Sequence, residues 1–225
     1  ICASNVAFFR KKFIQIYIRF YFGSFFNSGG HNPVEPSLAG KPMICGKSIF
    51  NNEADYIDLM KAGIIRQIAS NDTLNETIDE ILQSDIDDAI DLGIPWIGLF
   101  FGTSRDYLKD KYQLDEKNAL QLIEDAIVYA KSKKLKVRFT AEDASRTDLS
   151  FLLKIGELVE KAGADRFSLA DTVGILHPNK VSELIEVFVS RLKIPIHMHC
   201  HNDFGLATAN ALQALQSGAR CVDVT

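Results

Sequence analysis

Short apolar runs alternate with amphipathic stretches along the chain from residue 42 onward. The stretch at residues 115–131 places its apolar side chains on one helical face, and a second stretch, residues 149–161, ends at Ala162-Gly163. Seven runs have the length and the apolar content of strands: residues 43–49, 64–69, 96–101, 135–140, 166–170, 194–200 and 221–225. The pattern therefore predicts a repeated order of strand, helix and strand.

The composition of these runs predicts how the strands pair. Residues 96–101, Trp-Ile-Gly-Leu-Phe-Phe, are apolar throughout, which is typical of a parallel strand covered on both faces. An open doubly wound sheet usually carries a glycine-rich phosphate turn, and the sequence holds neither GxGxxG nor a Walker sequence. Polar residues instead follow the strands, at 102–104, 142–143, 171–172 and 201–203. We therefore predict an α/β fold, a TIM (β/α)8 barrel, whose active site lies at the strand ends.

The first 40 residues depart from this pattern. Residues 8–26 are rich in aromatic and β-branched side chains, but basic residues interrupt them, so they contain no apolar run of about 18 residues for a membrane span. A targeting segment is an alternative, although no Ala-x-Ala-like site follows. The sequence also ends on a strand. We expect an atypical N-terminal segment, residues 1–40, and a partial barrel domain, residues 41–225, incomplete at its C-terminus.

Composition narrows the class of partner. The net charge of -4 leaves no basic footprint for nucleic acid. The four cysteines, Cys2, Cys45, Cys200 and Cys221, form no CxxC pair, so neither a disulfide framework nor a structural zinc site is indicated. We expect a cytoplasmic protein that acts on small molecules, not on nucleic acid or a membrane.

The most specific chemical signal is His-Met-His-Cys-His, residues 197–201. Side chains of a strand alternate between its faces, so His199 and His201 are expected to project the same way, into the barrel mouth. Two imidazoles placed in this way can bind one divalent cation, and Mg, Mn or Zn would all suit them. His197 shares that face but lies deeper, which suggests a supporting role. The alternative is a set of strand histidines satisfied by core hydrogen bonds.

Two further strand ends carry candidate substrate groups. Period-two alternation predicts that Arg138, Thr140 and Glu142 share one face, and charges inside a barrel are costly unless paired. The alternative is an ordinary strand end with solvated charges. Thr172 follows another strand, where its hydroxyl suits a substrate carboxylate or caps a helix. Gly102-Thr-Ser offers room for an anionic group or forms a tight turn.

Four segments in order, FGTSRDYL, VRFTAEDASRTD, ADTVGILHP and HMHCHNDFGLATANAL, resemble the metallolyase TIM-barrel family. This family contains homocitrate, isopropylmalate and citramalate synthases and hydroxymethylglutaryl-CoA lyase. The resemblance covers residues 94–225. It implies that His199 and His201 bind the catalytic divalent metal, and that Thr172 contacts the oxo-acid carboxylate. It also implies that Arg138 and Thr140 bind substrate and that Glu142 takes part in catalysis; these three match the family's R-F-S-x-E motif.

The sequence departs from the family in two places. Nothing in residues 1–40 resembles D-T-T-L-R-D-G-x-Q, which supplies an acidic metal ligand and a catalytic Arg in the family. Residues 71–76, Asn-Asp-Thr-Leu-Asn-Glu, echo that motif without its Arg. The family's N-G-x-G-E-R-x-G-N would follow a strand like residues 222–225, where the sequence ends. We therefore also expect the isolated chain to be poorly folded or inactive.

The resemblance implies an acyltransferase that condenses acetyl-CoA with a 2-oxo acid, and a homodimer in the intact family member. Arg138 favours the homocitrate synthase type, because a guanidinium suits the second carboxylate of 2-oxoglutarate. Isopropylmalate synthase, acting on 2-oxoisovalerate, is an alternative, as is an internal role for Arg138 in an ion pair with Glu142 or Asp171. A truncated barrel that binds a metal or a partner without turnover is the alternative from another class.

Overall fold

The structure is a computed structural model that describes residues 13–17, 21–23, 43–45, 49–50, 52–67, 83, 86–87, 89–91, 93–112 and 114–224. The chain divides into two compact units. Unit 1 comprises Ile1–Tyr17 and Asp85–Thr225, and unit 2 comprises Ile18–Ser84.

The structure gives the bounds of nine strands and five α-helices, and residues 83, 86–87 and 89–91 are also helical. The strands are β1 (Phe13–Tyr17), β2 (Tyr21–Gly23), β3 (Met43–Cys45), β4 (Ile65–Gln67), β5 (Trp96–Gly102), β6 (Lys136–Glu142), β7 (Arg166–Asp171), β8 (Ile196–Cys200) and β9 (Cys221–Val224). The helices are α1 (Glu53–Lys61), α2 (Glu116–Ser132), α3 (Leu149–Lys161), α4 (Pro178–Arg191) and α5 (Ala207–Gln216). A π-helical segment spans Tyr107–Tyr112, and a 3-10 turn spans Ala144–Arg146.

Unit 1 contains a six-stranded sheet in the order β1-β5-β6-β7-β8-β9, and every neighbouring pair is parallel. Each connection from β5 to β9 contains an α-helix, from α2 to α5 in chain order, as parallel crossovers require. This arrangement is an arc of a (β/α)8 barrel. The predicted fold class, α/β with an incomplete TIM barrel, is confirmed.

The seven predicted strands correspond to β3 to β9, and the ends that the structure describes differ by a few residues. The predicted strand residues 46–48, 68–69 and 225 lie outside the described residues. β1 and β2 lie within residues 1–40, the segment expected to be atypical and not included in the seven predicted strands. β1 pairs with β5 from Phe13↔Trp96 to Tyr17↔Phe100. The aromatic and β-branched composition of this segment is also that of strands. These contacts join β1 to the sheet of unit 1, while a domain boundary at residue 40 stays a prediction.

Unit 2 contains a smaller parallel sheet in the order β2-β3-β4. Helix α1 connects β3 to β4, again as a crossover between parallel strands. Among the residues of this unit that the structure describes, Cys45, Tyr56 and Ile65 form a buried core. The partly buried side chains of Ile49, Leu59 and Met60 pack against that core.

The helices of unit 1 bury the faces that their sequence periodicity predicts. On α2 the buried side chains are Ala119, Leu122, Ile123, Ala126, Ile127 and Ala130. Helix α3 begins after Asp148, whose carboxylate accepts hydrogen bonds from the backbone N–H groups of Ser150 and Phe151. It ends before Gly163, which has a φ of +94° that favours glycine.

Aromatic packing identifies the two faces of the sheet. Phe139 of β6 stacks on Phe167 of β7 at 6.2 Å between ring centroids, and Phe167 contacts Phe188 of α4 at 5.4 Å. These side chains therefore face the helices. Because strand residues alternate between faces, the residues between them point to the inner face of the arc. That face carries Arg138, Thr140, Glu142, Ser168, His197 and His199.

Candidate active site

The paired histidines lie close together at the end of β8. The Nε2 atoms of His199 and His201 are 3.1 Å apart, and the two ring planes are inclined by 64°. His199 is the penultimate residue of the strand, and His201 is the first residue after it. Strand alternation predicts that these two side chains lie on the same face, and in the structure the Nε2 atom of one ring faces the Nε2 atom of the other.

Asp223 of β9 connects this pair to the rest of the inner face. Strand register places Asp223 beside His199. Its Oδ2 lies 3.1 Å from Nδ1 of His199 and 3.3 Å from the Nη1 of Arg138. Its Oδ1 lies 3.1 Å from Nε2 of His197. One carboxylate of β9 therefore contacts two imidazoles of β8 and the guanidinium of β6.

The charges within this group follow from burial and neighbours. Burial on its own would raise the pKa of Asp223, but hydrogen bonds with His197 and His199, together with the Arg138 charge, hold that pKa well below its ordinary value. Burial lowers the pKa of His197, and the contact with Asp223 opposes this only in part. At neutral pH an ionised carboxylate thus faces a neutral His197.

The hydrogen-bond network assigns the tautomers of both inner histidines. An ionised carboxylate only accepts hydrogen bonds, so the Nε2 of His197 and the Nδ1 of His199 must each carry a proton toward Asp223. The Nδ1 of His197, 2.5 Å from the Oγ of Ser168, then accepts the hydroxyl proton. Ser168, His197 and Asp223 have the composition of a hydrolase triad. Ser168 is fully buried, however, and no substrate could reach it as a nucleophile.

Strand β6 contributes the three side chains that were expected to share a face. Arg138, Thr140 and Glu142 are all buried, with exposed fractions of 6%, 1% and 3%. Arg138 forms an ion pair with Asp223, a partner that the sequence analysis did not consider, and its guanidinium carbon lies 5.3 Å from the ring centroid of Phe100. The Oγ1 of Thr140 has no hydrogen-bond partner among the described residues.

Glu142 is held between β5 and the π-helical segment. The hydroxyl of Tyr107 donates to its Oε1 at 3.4 Å, and its backbone oxygen accepts from the backbone N–H of Thr103 at 2.9 Å. Gly102 makes this approach of Tyr107 feasible, because a Cβ there would lie 1.9 Å from the ring atom Cδ1. Tyr107 was not predicted as a site residue, and its only sequence signal is its place in FGTSRDYL.

Thr172 lies in the loop after β7 and fastens it to the end of β6. Its Oγ1 accepts a hydrogen bond from the backbone N–H of Asp143 at 2.8 Å. It does not cap the following helix, because α4 begins after His177. Gly174 in the same loop has a φ of +63°, and a Cβ there would lie 2.5 Å from the Oδ2 of Asp203. The loops after β7 and β8 therefore touch beside the histidines.

The histidine pair fits part of a divalent cation site. Two nitrogen ligands about 2.1 Å from one ion and at right angles to each other would be about 3.0 Å apart, close to the observed 3.1 Å. The contact of Nδ1 with a carboxylate is the arrangement that orients metal-bound imidazoles. No cluster of three or more His, Cys, Asp or Glu suited to a metal occurs within the described part of the chain. The spacing of the two Nε2 atoms is thus that of two adjacent ligands of such a site.

Fold and site together define a class, the parallel (β/α)-barrel proteins with polar groups gathered at the carboxyl ends of their strands. Within that class, the chain belongs to the HMGL-like family, whose sequence model matches residues 60–225. The helices described in the structure include none that is long and apolar enough to cross a membrane.

Similar proteins include archaeal homocitrate synthases. The chain is 46% identical to the homocitrate synthase of Sulfurisphaera tokodaii over 145 residues. This match covers 64% of this chain and 32% of that protein. It is 39% identical to the homocitrate synthase of Saccharolobus solfataricus over 188 residues. This match covers 83% of this chain and 39% of that protein. The chain thus spans about a third to two-fifths of the length of these relatives.

Two kinds of solved structure share the fold. The HMG-CoA lyase of Bacillus subtilis has a TM-score of 0.58 at 22% identity, over 63% of this chain and 50% of that one. The carboxyl transferase domain of Rhizobium etli pyruvate carboxylase, solved with pyruvate and biocytin, has a TM-score of 0.52 at 20% identity, over 65% of this chain and 24% of that one. At these identities the likeness shows the barrel fold alone.

Proposed function

We propose that this chain is part of a metal-dependent acyltransferase that condenses acetyl-CoA with a 2-oxo acid, of the homocitrate synthase type. The observation that carries the proposal is the 3.1 Å approach of the two Nε2 atoms of His199 and His201, on the same inner face as the buried β6 groups. Identity of 39–46% with homocitrate synthases supports it.

His199 and His201 would hold a Mg, Mn or Zn ion, and such an ion polarises the carbonyl group of a 2-oxo acid. Thr140 offers a hydroxyl to the bound acid. Because this group is buried without a partner among the described residues, a ligand that hydrogen-bonds to it would remove a desolvation cost. The hydroxyl of Thr172, beside the same strand ends, would contact the carboxylate of the acid.

Glu142 would act as the catalytic carboxylate. It is buried at the strand ends, where a base can take a proton from the methyl group of acetyl-CoA and hold it on a carboxylate oxygen. The resulting carbanion adds to the keto carbon of the 2-oxo acid. The C=O π electrons move onto the keto oxygen, which takes up a proton to become the hydroxyl group of the product. Water then cleaves the thioester and releases CoA. The hydroxyl of Tyr107, which donates to Oε1, would orient the carboxylate.

The choice of oxo acid depends on Arg138. Its guanidinium suits the second carboxylate of 2-oxoglutarate, which we favour as substrate. The ion pair with Asp223 favours a second candidate, isopropylmalate synthase, because a guanidinium already neutralised within the protein need not meet a substrate carboxylate. We also place the protein in the cytoplasm, which the reduced thiols of Cys45 and Cys221 support. We expect a homodimer.

The test is calorimetric titration of the chain with Mn. We expect one site, lost in the double variant His199→Ala/His201→Ala and retained in His177→Ala, which removes an exposed histidine elsewhere. Mn binding that survives the double substitution would contradict the site.

A second titration, with Mn present, compares the two oxo acids. Preferential binding of 2-oxoglutarate that is lost in Arg138→Ala supports the homocitrate type, and preference for 2-oxoisovalerate supports the alternative. Release of CoA from acetyl-CoA then reports turnover. Binding of Mn and oxo acid without CoA release would favour a barrel that binds without catalysis.

A further inference from the structure

We propose that Asp223 is a positioning residue that fixes the tautomer and the orientation of His199, so that the two paired histidines are unequal. His199 then presents its Nε2 lone pair before any cation arrives, whereas His201 must change its tautomer when a cation binds. The inference rests on the proposed cation site.

The position of Asp223 follows from the register of β8 and β9. His199 pairs with Asp223, and His197 pairs with Cys221. Side chains at paired positions of neighbouring strands point to the same face, so the carboxylate stands beside the His199 ring and one row above His197. An aspartate at position 223 can therefore contact the rings of both His197 and His199 while its backbone stays paired within the sheet.

His197 and Ser168 hold the carboxylate in one orientation. Both residues are fully buried, with exposed fractions of 1% and 0%, so neither side chain has room to turn toward solvent. Ser168 donates to Nδ1 of His197, and His197 donates through Nε2 to Oδ1 of Asp223 at 3.1 Å. Because this contact uses Oδ1, the other carboxylate oxygen, Oδ2, accepts the hydrogen bond from His199. The positively charged Arg138 lies 3.3 Å from Oδ2.

The consequence for His199 follows from its hydrogen bonds. A neutral imidazole carries one proton, and the contact with Asp223 places that proton on Nδ1. The Nε2 of His199 is then a lone pair facing the Nε2 of His201 at 3.1 Å. Two lone pairs at this distance would repel each other, so in the cation-free chain His201 carries its proton on Nε2 and donates it to His199.

Cation binding changes only one of the two rings. A cation shared by both Nε2 atoms needs a lone pair on each, and His199 already offers one. His201 loses its Nε2 proton to solvent and gains a proton on Nδ1, so its net charge is unchanged. His201 is partly exposed, which permits this exchange.

The test uses the chain labelled with 15N in histidine, and long-range proton–nitrogen spectra that distinguish the two tautomers. Without a cation we expect His199 protonated at Nδ1 and His201 at Nε2. Adding Zn, which is diamagnetic, should move the His201 proton to Nδ1 and leave the His199 tautomer unchanged. Detection of the His199 proton at Nε2 in the cation-free chain would overturn the proposal without any substitution.

The matched variants are Asp223→Asn and Asp203→Asn, which make the same change in net charge. An amide at position 223 has one acceptor for two donating imidazoles, so His199 should lose its single tautomer and Zn affinity should fall about 10–100-fold. Asp203 is exposed and lies against Gly174 in the neighbouring loop, and its variant should keep both properties. Unchanged affinity and an unchanged His199 tautomer in Asp223→Asn would refute the role of Asp223.

The outcomes also separate this inference from the proposed function. If the unsubstituted chain shows the expected tautomers but binds no cation, the cation site fails and the positioning role stands. If it binds Zn through both histidines but the tautomers are reversed, the site stands and the positioning role fails. Should Asp223→Asn not fold, the spectra of the unsubstituted chain still decide the point.

Discussion

Replacing Gly102 by Ala should destabilise unit 1 through a single identifiable contact. The new Cβ would lie 1.9 Å from Cδ1, 2.5 Å from Cγ and 2.6 Å from Cε1 of the Tyr107 ring. Because Gly102 lies in β5 and its φ is not in the left-handed region, the backbone itself tolerates Ala. The cost is therefore steric, and overpacking of this kind costs about 1–3 kcal/mol.

Movement of the Tyr107 ring would also disturb its neighbours. Its hydroxyl would leave Oε1 of Glu142, 3.4 Å away, and its edge contact with Tyr112, at 5.9 Å between centroids, would change. Tyr112 accepts a hydrogen bond from the backbone N–H of Gly102 at 3.3 Å, so the end of β5 would lose part of its packing.

Urea unfolding followed by tryptophan fluorescence measures this effect, since Trp96, at the start of β5, is the one tryptophan of the sequence. The design is a double-mutant cycle. Gly102→Ala should cost about 1–3 kcal/mol in the Tyr107→Phe background, which keeps the ring, and less than about 0.5 kcal/mol in the Tyr107→Ala background, which removes it. Equal costs in both backgrounds would refute the steric argument.

Two further predictions concern buried polar groups. Ser168→Ala removes the donor to Nδ1 of the fully buried His197 and should lower the free energy of unfolding by about 1–3 kcal/mol. The control is Ser182→Ala, which removes a hydroxyl of helix α4 that contacts Ser217. Equal losses of stability in the two variants would contradict the prediction. Burial raises the pKa of Cys45 to about 11, so on the order of one thousandth of it is thiolate at pH 8. Iodoacetamide should label Cys45 slowly in the native chain, faster as the pH rises and fastest in urea, and rapid native labelling at pH 8 would contradict its burial.

Local patterns determined much of this protein. The two periodicities, 2.0 for strands and 3.6 for helices, are properties of neighbouring residues, so they predicted β3 to β9 and the buried face of α2. Helix α3 matches its predicted bounds, 149–161, because a capping aspartate and a left-handed glycine mark its ends. The same alternation placed Arg138, Thr140 and Glu142 together on one face.

Contacts between distant residues were decided only by the tertiary structure. β1 pairs with β5, which lies about 80 residues further along the sequence, and the local pattern of β1 does not predict which strand it pairs with. Asp223 lies 85 residues from Arg138 and 24 from His199, and it meets both because the register of β8 and β9 aligns them. A one-residue shift in that register would turn Asp223 to the helix-covered face, so the carboxylate that orients the candidate site depends on strand pairing rather than on any motif.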